Sequence, residues 1–304
     1  MKNENIYDVI IIGGSYAGLS AAMSLGRASM RTLIIDAGKP CNRQTPYSHN
    51  FITHDGTPPA EISQLARNQV LKYDTISFQE DMAVSGRKIE TGFEITTEKG
   101  RVYNSSKLVI ASGMKDLMPE IKGFKDCWGI SVIHCPYCHG YEYKGSKTGL
   151  FMNGEKAIEH ALFINHWAGE LTLFTNGTPD LPEEGIQKLK ENNIAIVDTE
   201  ITELVHHDGK LQHLQLADGQ TVELEALYAA LPMEQQSTIP EMLSCNFSEG
   251  GHIEVNDFKQ TSVTGVFAAG DNSSPMRSVA NAVAAGNVAG AFISKEIIAE
   301  RYSK

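Results

Sequence analysis

Two cysteines separated by two residues stand at Cys135-Pro136-Tyr137-Cys138. Such a pair can close a small disulfide ring, and the proline inside it stiffens the turn. If Cys135 sits near a helix start, its thiolate is favoured. The chemistry on offer is thiol–disulfide exchange. A substrate thiolate attacks one sulfur, and a second thiol resolves the mixed disulfide. His134 and His139 flank the pair. Imidazole titrates near neutral pH, so either can move the thiol protons, with His139 the first candidate for general acid/base. Structural zinc is a competing use of these residues. It needs four ligands. Cys135, Cys138, His134 and His139 could not all reach one ion without distortion, and the chain has no second CxxC. An inert buried pair is the remaining alternative.

A second set of residues points to a dinucleotide. Gly13-Gly14-Ser15-Tyr16-Ala17-Gly18 follows an apolar run and opens a segment of helical spacing, and Asp36 lies 23 residues after Gly13. Gly13 allows a tight turn, Gly18 lets helix and sheet approach, and the amides at the helix N-terminus hold a pyrophosphate. Asp36 can bind a ribose hydroxyl pair. Ser15 stands where a second glycine is usual, and it is small enough for the backbone still to approach phosphate. Near the C-terminus, Gly265-Val266-Phe267-Ala268-Ala269-Gly270-Asp271 places an acid after a buried strand. Together with Ala111-Ser112-Gly113, it reads as an FAD domain split in sequence.

The elements that must position these residues follow from pattern. Residues 7–12 form a short buried strand, 17–30 a helix and 31–36 a second strand, a β-α-β unit at the start. Residues 148–152, 155–167 and 171–175 repeat it. Residues 39–59 are too rich in turn formers for one element, and 61–73 read as a helix. Residues 204–216 and 221–224 read as a hairpin around Asp218-Gly219. Residues 278–301 form a long helix rich in Ala and Gly. The fold class is α/β, with two Rossmann-like dinucleotide-binding domains in three layers, one inserted in the other. The FAD domain spans 1–115 and 246–304, and the inserted domain, 116–245, carries the dithiol. A length of 304 residues suits two domains. The 26 Lys and Arg against 37 Asp and Glu leave a formal charge of −11, which argues against a nucleic-acid partner held by a basic surface. No apolar run reaches the roughly 18 residues of a membrane span, and the polar N-terminus is not a signal peptide. The expected location is the cytoplasm. Five cysteines are too few for a disulfide scaffold, so Cys41, Cys127 and Cys245 read as lone thiols.

The motifs GGSYAG, ASG, CPYCHGYE and GVFAAGD, with Arg277, resemble the low-molecular-weight thioredoxin reductases in order and over nearly the whole chain. The resemblance implies FAD, a redox-active dithiol and a homodimer. It implies that Cys138 lies against the flavin and that Cys135 faces the substrate. It places Arg277-Ser278-Val279 near the flavin, with Ser278 departing from the family pattern, and Asn50 in a loop that contacts it. His139 stands where the family has an aspartate.

The second β-α-β unit keeps its frame and loses its chemistry. The family's GxGxxA glycines fall on Met152 and Gly154, and Met152 crowds the pyrophosphate path. The basic run that clamps the 2′-phosphate in NADPH-using relatives is Thr175-Asn176-Gly177 here. Glu155 and Glu170 are expected to add negative charge. The chain is similar to the branch of gliotoxin- and holomycin-type dithiol oxidases through Ser48-His49-Asn50-Phe51, Pro59-Ala60-Glu61, His134-Cys135 with Cys138, Gly140-Tyr141-Glu142 and residues 173–177. The expected function is an FAD-dependent dithiol/disulfide oxidoreductase working without NADPH. Its substrate is a thioredoxin-like protein or a small dithiol, and its electron partner is O2 or ferredoxin. The alternatives are an NADPH- or ferredoxin-dependent thioredoxin reductase and a non-enzymatic flavin redox sensor.

Overall fold

The computed structural model describes residues 5–303. The chain forms two α/β units. The first comprises Met1–Arg43, Ala60–Lys115 and Met233–Lys304, the second Gln44–Pro59 and Asp116–Pro232.

In the first unit the strand Ile6–Ile12 is central because its apolar run needs cover on both faces. Val9, Ile10 and Ile11 are fully buried. This strand pairs in parallel with Thr32–Asp36 on one side and Val102–Ile110 on the other, with Ile10 beside both Leu33 and Leu108. Ile76–Glu80 extends the parallel sheet at one edge, and Val266–Ala268 pairs with the end of Val102–Ile110. Two antiparallel strands, Gly92–Thr97 and Ala83–Ile89, complete it. The turns after Ile12, Asp36, Ile110 and Ala268 therefore leave the same end of the sheet, where open α/β sheets bind their ligands.

The first helix, Tyr16–Arg27, packs against the C-terminal helix, Val279–Tyr302. The latter is long and apolar enough to cross a bilayer by length and composition. Its Gly286 and Gly290 instead lie against the backbone of the first helix, where any Cβ would collide with the Ala17 and Ala21 carbonyls. Ser20 Oγ donates to the Val283 carbonyl at 2.6 Å across this contact.

The second unit holds a five-stranded parallel sheet in the order Ala195–Val197, Glu170–Phe174, Lys147–Phe151, Ala226–Ala229, Val132–Ile133. A separate antiparallel sheet joins Ile201–His207, Lys210–Leu216 and Thr221–Glu223. The expected single strand over 204–216 is two strands. Asp208 and Gly209 adopt φ of 50° and 76°, the left-handed pair of a tight hairpin turn, so a second hairpin precedes the one at Asp218-Gly219.

The unit boundaries differ from the sequence expectation at two places. Residues 233–245 belong to the first unit, because Ile239, Leu243 and Cys245 are buried in its core with Ile10, Phe93 and Ile95. Gly86 makes room there: a Cβ on it would stand 2.7 Å from Ile239 Cγ2. Residues 44–59 belong to the second unit. Gln44 Nε2 donates to the Lys125 carbonyl at 3.2 Å, and His49 pairs with Glu142.

Candidate active site

The cradle in the first unit is built from sheet-end turns. Gly13 has a φ of 104°, and a Cβ there would run into the Ala111 carbonyl, so only glycine fits. Gly14 N–H donates to Asp36 Oδ2 at 2.6 Å, and Gly38 N–H donates to Asp36 Oδ1 at 2.7 Å. Both carboxylate oxygens of Asp36 thus accept backbone amides of the turns beside it. Ser15 begins the first helix without a side-chain cap. An anionic ligand can fill that role at the first turn, which includes Ala17 and Gly18.

On the neighbouring strand end, the Ser112 hydroxyl is buried with no hydrogen-bond partner. Gly113, at φ 72°, faces open space. Gly270, at φ 96°, opens the short turn that starts with Asp271, and Arg277 Nε donates to Asp271 Oδ2 at 3.4 Å. Ser278 caps the C-terminal helix by accepting from Asn281 N–H at 3.1 Å, and Val279 is its first residue. That cap gives a local reason for the departure at Ser278. Sequence reasoning missed Asn272. It is fully buried and donates from Nδ2 to the Ile110 carbonyl at 2.8 Å, fixing the Asp271 turn to the sheet. The orphaned Ser112 hydroxyl, the open side of Gly113 and the uncapped helix start fit FAD. Gly13 and Gly14 would let its pyrophosphate approach the backbone, Ser15, Ala17 and Gly18 would hold it at the helix start, and Asp36 would meet a ribose. Asn50 is not part of this unit. It is exposed in the 44–59 segment, with its N–H donating to Asp55 Oδ1 at 2.7 Å.

The dithiol is in the second unit. Cys135 is the N-cap of the one-turn helix Pro136–His139, whose first position is the proline. Cys138 N–H and His139 N–H both donate to the Cys135 carbonyl, at 3.2 Å each. This turn brings the two sulfurs to 2.6 Å. Both cysteines are half-buried. His134 is exposed and stacks on Trp128, with ring centroids 6.1 Å apart. Burial pushes the His139 imidazole below its usual range, Glu142 works against that shift, and His49 reinforces it. His139 is thus a neutral base at neutral pH. His49 lies between two carboxylates, 3.4 Å from Glu142 Oε1 and 3.6 Å from Asp55 Oδ2.

Tyr137, between the cysteines, contacts two rings that sequence reasoning did not connect to it. Its centroid lies 5.9 Å from Phe163 and 5.8 Å from Trp167, and those two are 5.2 Å apart in an edge-to-face pair. Tyr137 and Phe163 are exposed. No local signal marks this cluster, because its members are about a helix and a strand apart in sequence.

The second β-α-β turn is closed on itself. Asn153 Nδ2 donates to the Thr178 carbonyl at 2.9 Å, while its Oδ1 accepts from Gly154 N–H at 2.9 Å and from Asp180 N–H at 2.8 Å. One side chain therefore ties the loop after the first strand to the loop after the second. Met152 packs against the core below. Asn176 Oδ1 accepts from Ile201 N–H at 2.7 Å, and Gly177 N–H donates to the Asp198 carbonyl at 2.7 Å. The expected contribution of Glu170 is corrected. It starts its strand, near Lys147, at the end opposite the turn.

These features match known proteins along the whole chain. Residues 7–286 match the pyridine nucleotide-disulphide oxidoreductase family, and the chain belongs to it. It is 34% identical to "Thioredoxin reductase tcpT" of Claviceps purpurea over 311 residues, covering 99% of this chain and 97% of that protein. An oxidoreductase structure from Agrobacterium tumefaciens superposes with a TM-score of 0.90 at 38% identity, covering 96% of this chain and 98% of the other. "Putative Thioredoxin Reductase TrxB" from Bacillus anthracis gives 0.92 at 30% identity, covering 97% and 99%. The expected placement among thioredoxin reductase-like flavoproteins, next to the gliotoxin type, holds. The chain is a thiol/disulfide oxidoreductase with an α/β fold, and its cofactor is FAD.

Proposed function

We propose that this enzyme oxidises dithiol substrates through Cys135 and Cys138 and passes the electrons through FAD without using NADPH. The observation that carries this reading is the Asn153 bridge, which ties the turn after the first strand of this unit to the loop after the next and so closes the cleft where a pyrophosphate would approach the Gly154 turn. Glu155, at the N-cap of the following helix, adds an unfavourable charge for phosphate.

The exchange balances as follows. A substrate thiolate attacks Cys135 Sγ of the closed pair and releases Cys138 as a thiolate. The second substrate thiol attacks the substrate sulfur of the mixed disulfide. The substrate disulfide forms, and Cys135 leaves as a thiolate. His139, neutral at pH 7, takes up a thiol proton in this sequence. A bound FAD would supply two-electron acceptor chemistry for the reduced Cys135–Cys138 pair, with O2 or a ferredoxin-like protein as the final acceptor in this reading. The rings of Tyr137, Phe163 and Trp167 offer an apolar face on which a thioredoxin-like protein or a small dithiol can rest. The enzyme acts in the cytoplasm as a homodimer in this reading.

Anaerobic reduction of the purified yellow protein tests it, with NADPH, NADH, reduced ferredoxin and a dithiol offered in turn. The dithiol is expected to bleach the flavin. Rapid bleaching by sub-millimolar NADPH would overturn the NADPH-independent reading.

A further inference from the structure

One buried polar group beside the dithiol makes no hydrogen bond. Tyr228 lies in the strand Ala226–Ala229 with 1% of its surface exposed, and its hydroxyl has no partner. A buried hydroxyl left unpaired is costly and uncommon in folded proteins. The position of this one is specific. Tyr228 pairs across the sheet with Ile133, two residues before Cys135. Gly140 ends the cysteine turn. A Cβ added to it would stand 3.0 Å from Tyr228 Oη and would also press on the Pro136 carbonyl. The backbone of Gly140 is ordinary helix, with φ −68°, so the missing Cβ provides space there. The hydroxyl therefore lies directly beneath the turn that carries the two sulfurs.

We propose that Tyr228 donates a hydrogen bond to the Cys135 thiolate, a bond that forms only once exchange has released that sulfur. No proton is transferred. The phenol keeps its hydrogen, and the sulfur keeps its charge in a better environment. Cys135 thus becomes a better leaving group when the mixed disulfide resolves. This inference rests on the reading of Cys135–Cys138 as the exchanging pair.

The surroundings suit a donor. Burial raises the phenol well above its usual range, and negative charge on Cys135, Glu142 and Tyr143 adds to that. The phenol therefore stays protonated throughout the titration of the thiol. Tyr143 is not a competing donor, because its hydroxyl donates to the Ile130 carbonyl at 2.9 Å. His134, Tyr137, His139, Tyr141 and Glu142 are the other titratable groups on the segment of the turn, His49 and Tyr143 face it, and all of them stay the same in the comparison below.

The test is the pH dependence of iodoacetamide alkylation at Cys135 in the FAD-loaded full chain. It is carried out in a Cys138→Ser background, and modification is read on the Cys135 peptide so that Cys41 does not interfere. Tyr228→Phe is expected to move the midpoint upward and to slow alkylation at pH 7 about tenfold, the size of one lost hydrogen bond to a charged group. A profile that superimposes on that of Tyr228 would overturn the proposal. Should Tyr228→Phe fail to retain FAD, site-specific replacement by a fluorinated tyrosine keeps the shape and strengthens the donor. The midpoint must then move downward, and an unmoved midpoint refutes the hydrogen bond. Alkylation needs no turnover, so a dithiol that fails to bleach wild-type flavin would count against the proposed function and not against Tyr228.

Discussion

Replacing Gly286 by alanine sets two effects of opposite sign against each other. In a solvated helix the change would stabilise by about 1 kcal/mol, because glycine is the poorer helix former. Here the new methyl would press on the Ala17 carbonyl, with the Ala17 carbonyl carbon at 2.9 Å and Ser20 Cβ at 3.0 Å. The obstacle is the backbone of another helix, which cannot rotate away. Gly290 makes the same close approach to Ala21 one turn further on, so tilting the helix does not relieve the contact. The 2.6 Å bond from Ser20 to the Val283 carbonyl must also lengthen. Overpacking against an unyielding neighbour costs up to about 3 kcal/mol, leaving a net loss of roughly 2 kcal/mol. For a unit of this size that corresponds to a Tm lowered by about 4–8 °C. Both helices start at the FAD cradle, so the loss should appear as earlier flavin release. The assay is a thermal scan of the FAD-loaded chain read by flavin fluorescence. An unchanged or higher release temperature would refute the reasoning, since propensity would then outweigh the contact.

Two further outcomes follow from the site geometry. Asp36→Asn leaves a single side-chain oxygen to serve the Gly14 and Gly38 amides. Loss of one charged acceptor costs about 1–3 kcal/mol, or a 5- to 150-fold weaker FAD affinity, which titration of the apo chain would measure. Burial holds His139 below its ordinary 6.5. The exchange that needs its neutral form is therefore complete above pH 6.5 and fades only as pH falls through the lowered value. The same burial makes stability fall with acidification in that window, because the unfolded chain binds the proton more readily. Stopped-flow pH profiles of dithiol-driven flavin reduction should show this limb below 6.5 and lose it in His139→Asn. A wild-type midpoint above 6.5 contradicts the assignment.

Much of the chemistry was legible in the sequence because its determinants are local. The CxxC turn, the glycine loop before the first helix and Asp36 at the end of the next strand each depend on residues within about two dozen positions. Pattern alone is enough to place them. The departures from the dinucleotide pattern at Met152 and Thr175 were legible for the same reason. What holds that turn was not. Asn153 has no special neighbours in sequence, and its role as a bridge exists only because the parallel sheet brings residues 153, 178 and 180 to one end. The misplaced influence of Glu170 has the same origin: strand direction, not spacing, decides which end of the sheet a charge occupies.

By itself, then, the sequence determined the α/β class, the glycine turn at the end of the first strand and the CxxC pair, since periodicity and short motifs encode them. Only the tertiary structure decided what surrounds that pair. The contacts of Tyr137 with Phe163 and Trp167, the carboxylates around His49 and the unpaired Tyr228 hydroxyl under the turn are meetings of segments remote along the chain. Burial and partnership are properties of packing, and those are what set the proton affinity and reactivity of each group.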